Sequence, residues 1–423
     1  MNGKLPIERI APTDWMTAAP TLAVLKALAA GGAPVRFVGG CVRDAILGLE
    51  PGDIDIATPE LPETVIRRLQ KAGLKAVPTG IEHGTVTAVV PPATFQITTL
   101  RRDVVTDGRH AQVEFGTDWA EDAVRRDFTI NALYADSDGT LHDFTEGRAD
   151  LAAGIVRFVG EPTQRVVEDY LRVLRFFRFH ARFGKGVPHA ASLAACAPAA
   201  DKLDRLSAER VRDELLKILA LPNAGAALQL MQQSGVLSAL LPQARFEPAS
   251  FADLMWMQDA LNAQSGQQPD VWPRLAILFP PSAVPDGDVI ADRLRLSNAQ
   301  RVRFTGLITS SMTPDELKDD AAFDRALYRL GAERGRDHAL LAAVHEPALA
   351  EIAKRRAREA TTWRKPIFPL RGADILALGF PPGPNVSALL RELESWWVET
   401  GFRADREACL ARLRERVQVV SED

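Results

Sequence analysis

Val38-Gly39-Gly40-Cys41-Val42-Arg43-Asp44-Ala45-Ile46-Leu47-Gly48, followed closely by Asp53-Ile54-Asp55-Ile56-Ala57-Thr58, decides how the chain is read. Val35–Val38 is a short apolar run ending in two glycines. Val42–Leu47 then reads as a helix that Gly48 ends. A Gly-Gly turn lets backbone N–H groups approach an anion, and a helix N-terminus adds positive potential. In Asp-Ile-Asp-Ile-Ala, strand periodicity points Asp53 and Asp55 to one face and puts Ile54 and Ile56 in the core. Two carboxylates this close repel unless a cation lies between them. An all-oxygen pair suits Mg²⁺ in company with substrate phosphates. The stretch therefore reads as a phosphate cradle beside a divalent-metal site.

Working outward, Leu22–Ala30 reads as a helix stopped by Gly31-Gly32. From Val35 to about Phe144, strands are expected at Val35–Val38, Asp53–Ala57, Thr85–Val90, Thr94–Leu100, Gln112–Phe115 and Ala132–Ala135. Helices are expected at Val42–Leu47, Pro62–Ala72 and about Ala120–Asp127. The polar segment Arg101–Ala111, with Asp107-Gly108-Arg109-His110, reads as an exposed loop. After about Asp150 the pattern is helical throughout, beginning with a long helix from Pro162 to Phe183. The fold class is α+β, a mixed-sheet head followed by an all-helical remainder. The divisions are 1–150 for a catalytic head, 151–223 for a neck, 224–360 for a helical body and 361–423 for a helical tail.

The bulk numbers are ordinary. The 423 residues are 46% hydrophobic and 25% charged, with net charge −4. That balance excludes a strongly basic nucleic-acid-binding chain overall, though not a local basic patch. The length implies two to four domains. Cys41, Cys196 and Cys409 are widely spaced and odd in number, which argues against a disulfide framework or zinc site and fits a reducing compartment. With no signal-peptide core and no apolar run of spanning length, a cytoplasmic protein without membrane association is expected.

Two further constellations carry chemistry. In Arg125-Arg126-Asp127-Phe128-Thr129-Ile130-Asn131 the arginines can grip phosphate and the Asp can accept from a ribose hydroxyl. In Glu168-Asp169-Tyr170-Leu171-Arg172-Val173-Leu174-Arg175-Phe176-Phe177-Arg178-Phe179 the arginines at 172, 175, 178 and 182 fall within about one third of a helix circumference. Three interleaved phenylalanines make a solvated face unsuitable there. A buried arginine stripe is costly unless anions fill the gap it faces.

With these in place the chain resembles the class II tRNA nucleotidyltransferases and the bacterial poly(A) polymerases. Gly-Gly-x-Val-Arg-Asp, Asp-x-Asp, Arg-Arg-Asp-Phe-Thr-x-Asn-Ala and Glu-Asp-x-x-Arg-x-x-Arg occur in order. His83-Gly84-Thr85, Ser207–Glu214 and the late Gly372–Pro384 segment also match. The resemblance implies that Asp53 and Asp55 hold catalytic Mg²⁺, and that Gly39, Gly40 and Arg43 hold the triphosphate. It implies that Asp127 recognises the ribose while Arg126 places the nucleotide. Asp169 and Arg172 would read the Watson–Crick edge of the incoming base, supported by Arg175 and Arg178. The implied activity is addition of C, C and A to the 3′ end of tRNA from CTP and ATP, with no obligate protein partner. A poly(A) polymerase or a partial CC- or A-adding enzyme is the alternative on the same fold. A non-catalytic RNA-binding protein is a third, disfavoured by the intact carboxylate pair. Phe95–Asp103 looks more like the CCA-adding pattern than the poly(A) one. Tyr170 departs from the proline common in the family, and Phe176 and Phe177 from its small residues. No His-Asp phosphohydrolase constellation stands in the C-terminal half. Trp396-Trp397, Lys354–Arg358 and Arg403–Arg416 offer possible RNA contacts.

Overall fold

Seven strands form one mixed sheet in a computed structural model of the chain, which describes residues 8–106, 111–265, 269–279, 287–309 and 312–422. The strands are β1 (Arg36–Val38), β2 (Ile54–Thr58), β3 (Lys75–Gly80), β4 (Thr85–Val90), β5 (Ala93–Thr99), β8 (Leu133–Ala135) and β9 (Leu141–Asp143). A separate two-stranded ribbon pairs β6 (Arg101–Thr106) with β7 (Ala111–Phe115). The sheet order is β3-β4-β5-β2-β1-β8-β9. Only β2 and β5 run parallel.

The helices that matter for the site are α1 (Gly40–Ile46), α2 (Pro62–Lys71), α3 (Trp119–Val124), α4 (Pro162–Glu168), α5 (Leu171–Phe183) and α6 (Ala208–Leu219). Apolar strand residues close the core. Phe37, Ile56, Val86, Ala88 and Phe95 are fully buried, as Val/Ile/Phe-rich strands under helices should be. Each buried aliphatic or aromatic side chain contributes roughly 1.5–3 kcal/mol from area alone.

Two strands that were not expected are present, and one expected loop changes. β3 contains Pro78, which a central strand could not accommodate; it lies at the sheet edge, where a missing N–H is tolerated. β9 is the opposite edge and has only three residues, too few for a periodic signal. Much of the expected loop Arg101–Ala111 is strand, while Asp107–His110 lies outside the described residues.

The long helix expected from Pro162 to Phe183 is two. Asp169 has φ −153° and ψ 104°, an extended conformation that breaks the hydrogen-bond ladder. Its Oδ1 accepts the Leu171 N–H at 3.1 Å and so begins α5. Tyr170 has φ −59°, the value a proline ring would fix. The backbone at this break therefore suits the family's proline although tyrosine stands here.

The chain divides into two compact units, Met1–Pro242 and Gln243–Asp423. The second unit is helical in its described residues. Near its C-terminus, Leu370, Ile375, Leu389, Leu393, Trp397, Cys409 and Leu413 form one buried cluster. Trp397 is core, whereas Trp396 is half-buried with Arg412 5.9 Å over its ring. Arg406 pairs with Asp374, Arg416 with Glu392, and Arg412 with Glu415. Arg356 is buried and held by the Leu317 carbonyl, Glu359 and Asp320. Each of these cations thus has a partner within the unit. Among the described residues no helix is long and apolar enough to cross a membrane.

Candidate active site

Strand register assembles the site. Phe37 pairs with Ile56 in the antiparallel β1–β2 ladder, and Val38 pairs with Tyr134 of β8. The end of β1, the start of β2 and the start of β8 therefore lie at one end of the sheet. The Gly39-Gly40 turn leaves β1 there, Asp53 and Asp55 enter β2 there, and the Arg125–Asn131 segment precedes β8 there.

Gly39 has φ +76° and ψ −125°, a conformation that favours glycine. A Cβ at this position would stand 3.5 Å from the Asn131 carbonyl and 3.6 Å from Arg126 Nη1. The turn is thus packed against the Arg126–Asn131 segment. Cys41 is buried beneath it, its thiol donating to the Val38 carbonyl at 3.3 Å, and burial pushes that thiol up to about 12. It is not a nucleophile in this state.

Asp53 lies just before β2 rather than within it, and is exposed; Asp55 is half-buried. Burial pushes the Asp55 carboxyl up to about 6, Arg126 opposes that rise and Asp53 adds to it. Desolvation is the larger cause of the rise, and the like charge of Asp53 the smaller. The pair fits a hard divalent cation: both donors are carboxylate oxygens, and neutralisation would relieve the repulsion. Among the described residues no cluster of three or more His, Cys, Asp or Glu forms a closed metal cage. An ion here would complete its shell with water and substrate oxygens, as Mg²⁺ usually does.

Arg43 is nearly buried. It pairs with Asp44 at 2.7 Å, donates to Asn131 Oδ1, and lies 4.1 Å over the Phe183 ring. Desolvation lowers its proton affinity. Arg126 is fixed by Asp122 of α3 and Tyr134 of β8. Asp127 accepts the Phe128 N–H at 2.8 Å and the Asn131 amide at 3.1 Å on one oxygen, and Arg175 Nε at 2.8 Å on the other. Burial would raise its carboxyl, but Arg175 and Asn131 hold it well below the usual range.

The arginine stripe of α5 faces protein carboxylates, which corrects the expectation that its gap needs outside anions. Arg172 donates to Glu168 at 2.7 Å and to the Arg165 carbonyl at 2.9 Å. Arg175 meets Asp127, Arg178 donates to Glu214 of α6 at 2.6 Å, and Arg182 stands 3.8 Å from Asp44. Phe176 and Phe177 are fully buried between these rows, and Phe179 nearly so. Asp169 and Arg172 are one helix turn apart, and the Arg172 backbone N–H donates to the Asp169 carbonyl at 2.9 Å. Asp169 Oδ2 accepts from Arg210 at 2.8 Å. An ionised carboxylate has about four acceptor positions, so two remain for a ligand.

Asp122, Glu214 and Arg210 hold the site and received no role from the sequence reading. Arg210 and Glu214 sit in the quoted Ser207–Glu214 motif, one helical turn apart. The spacing of Asp122 to Arg125 and Arg126, i to i+3 and i+4, was the available signal for the first.

Comparison with known proteins gives the family of the chain. Residues 35–157 match the poly A polymerase head domain, and 189–246 match the "Probable RNA and SrmB- binding site of polymerase A". The mitochondrial CCA tRNA nucleotidyltransferase 1 of Mus musculus is 36% identical over 90% of this chain and 86% of its own length. The CCA-adding enzyme of Levilactobacillus brevis is 33% identical over 92% of this chain and 95% of its own. The crystal structure of the Bacillus stearothermophilus CCA-adding enzyme in complex with CTP superposes with TM-score 0.73 at 28% identity. That match covers 96% of this chain and 100% of the other. The protein belongs to the family of CCA-adding tRNA nucleotidyltransferases and poly(A) polymerases.

Proposed function

We propose that this protein adds C, C and A to the 3′ end of tRNA, using CTP and ATP and releasing pyrophosphate. The observation that carries the reading is the convergence of the Gly39-Gly40 turn, the Asp53/Asp55 pair and Arg126 at one end of the sheet. The Asp169-Tyr170 break between α4 and α5, with Arg172 just after it, lies next to it, tied through the Arg175–Asp127 pair. The names of the similar enzymes support the choice of tRNA, CTP and ATP.

In this reading the tRNA 3′-hydroxyl oxygen bonds to the α-phosphorus, and the bond from that phosphorus to the bridging oxygen of the pyrophosphate breaks. Asp53 and Asp55 would hold Mg²⁺, which when bound would supply Lewis-acid activation of the hydroxyl and neutralise the leaving group. Gly39 and Gly40 leave room for the triphosphate against the backbone, and Arg43 and Arg126 border it. Asp127, whose acceptor positions Phe128, Asn131 and Arg175 take up here, accepts from the ribose in exchange for one of the Arg175 donors.

Asp169 accepts from the exocyclic amine of C or A, and Arg172 donates to the neighbouring ring nitrogen or carbonyl. U and G present the opposite pattern and leave both groups unpaired. A site built for hydrogen bonds can reject such bases by about 10⁴-fold. Arg178, fixed by Glu214, supports the helix that carries Arg172.

The test is incubation with Mg²⁺ and tRNA lacking its 3′ end, with CTP and ATP singly and together. Addition of C-C-A and no more is expected. A long A-tail without CTP would replace the reading with poly(A) synthesis, and no extension would remove catalysis altogether.

A further inference from the structure

Asp122 is the most heavily used carboxylate of the first unit. It sits on α3 with no exposed surface. Its Oδ1 accepts Arg125 Nε and Nη2 at 2.8 and 2.6 Å and the backbone N–H of Arg101 at 3.3 Å. Its Oδ2 accepts Arg126 Nη2 at 2.9 Å and the Tyr134 hydroxyl at 2.7 Å. The Arg126 Nε is 3.3 Å from both that oxygen and the Tyr134 hydroxyl. Tyr134 is itself immobilised: it pairs with Val38 in the ladder, is fully buried, and meets Trp119 edge-on at 5.3 Å.

Two consequences follow. Arg126 is anchored through Nε and Nη2, so Nη1 is the edge turned to the Gly39 turn, 3.6 Å from where a Cβ there would stand. Arg125 is anchored through its side chain, and its carbonyl accepts Arg172 Nη2 at 3.4 Å. One carboxylate thus fixes the arginine beside the transfer site and the backbone against which the base-reading arginine rests.

We propose that Asp122, with Tyr134 as its buttress, is a positioning residue for nucleotidyl transfer. It acts through Arg126 and Arg125 and sets where the incoming nucleotide's phosphates and base lie relative to each other. The inference rests on the placement of the nucleotide by Arg126 proposed above. Asp122 touches neither substrate nor the reacting atoms. Asparagine could not replace it, because its amide would turn a donor toward either Arg125 or Arg126.

The test is steady-state addition on tRNA by Asp122→Asn, Tyr134→Phe and Arg126→Ala, with thermal melts of each. Misplaced reacting groups cost on the order of 10²-fold, so Asp122→Asn should lose about that much kcat/KM. The KM for CTP and for ATP should rise together while the KM for tRNA stays unchanged. Tyr134→Phe should lose about tenfold in the same direction, since it removes one charge-assisted hydrogen bond. If Asp122→Asn does not fold, Tyr134→Phe decides: raised nucleotide KM with an unchanged melting temperature supports the inference. Wild-type nucleotide KM in Tyr134→Phe and in any folded Asp122→Asn, beside a crippled Arg126→Ala, would overturn it. A fully active Arg126→Ala would instead overturn the role of Arg126, and the inference with it.

Discussion

Arg175 reaches across 48 positions of sequence to grip Asp127 with its Nε at 2.8 Å and a second donor on the same oxygen. The pair joins the segment before β8 to the helix that follows the Asp169 break. If Asp127 reads the ribose, its orientation depends on that grip. Asp127→Asn should erode the preference for CTP over 2′-deoxyCTP by about tenfold or more, the worth of a lost charged hydrogen bond. Arg175→Ala should do the same to a lesser degree, because Asn131 still holds the other oxygen. Competition between the two nucleotides in single-addition assays measures it. An unchanged preference in both variants would remove the ribose role.

Asp122 makes a prediction about acid. Burial alone would raise its carboxyl, yet Arg126, Arg125 and the Tyr134 hydroxyl hold it at about 2, below the ordinary 3.8. A depressed carboxyl binds its proton less readily in the folded state than in the unfolded one. Its stabilisation is therefore complete above about pH 4 and is lost as pH falls through about 2. Wild-type melting temperature should drop across that window more steeply than that of Asp122→Asn. Parallel slopes would show that Asp122 contributes no such term.

Tyr170 stands at φ −59° after the extended Asp169. Both conformations suit an X-Pro pair. Tyr170→Pro should fold, keep its base choice and change stability by less than about 1 kcal/mol, with the reduced freedom of the unfolded chain favouring it. A large loss in chemical denaturation would mean that the Tyr170 side chain, and not the backbone, holds this break.

The Asp53/Asp55 pair, the glycine turn and the arginine-rich stretch were legible in the order of motifs because each is local in sequence and chemically distinctive. What it missed is non-local or marginal. Edge strand β3 carries Pro78, and β9 has three residues, so neither leaves a periodic trace. The break at Asp169 was hidden because apolar spacing continues on both sides of it. The carboxylates that neutralise α5 come from Asp44, Asp127, Glu168 and Glu214, and only Glu168 is near in sequence. Asp53 was placed inside the strand and lies just before it, since two alternating residues cannot fix where a strand begins.

The central claim is a divided site, in which Asp53 and Asp55 serve transfer while Asp169 and Arg172 choose the base. Single additions by Asp55→Ala and Arg172→Ala, with each of the four nucleoside triphosphates offered separately, test it most directly. Asp55→Ala should lose about 10³-fold or more with CTP and ATP alike, the scale of removed transition-state stabilisation. Arg172→Ala should retain transfer but incorporate U and G at rates approaching those of C and A. An active Asp55→Ala, or an Arg172→Ala enzyme that still rejects U and G, would contradict the division.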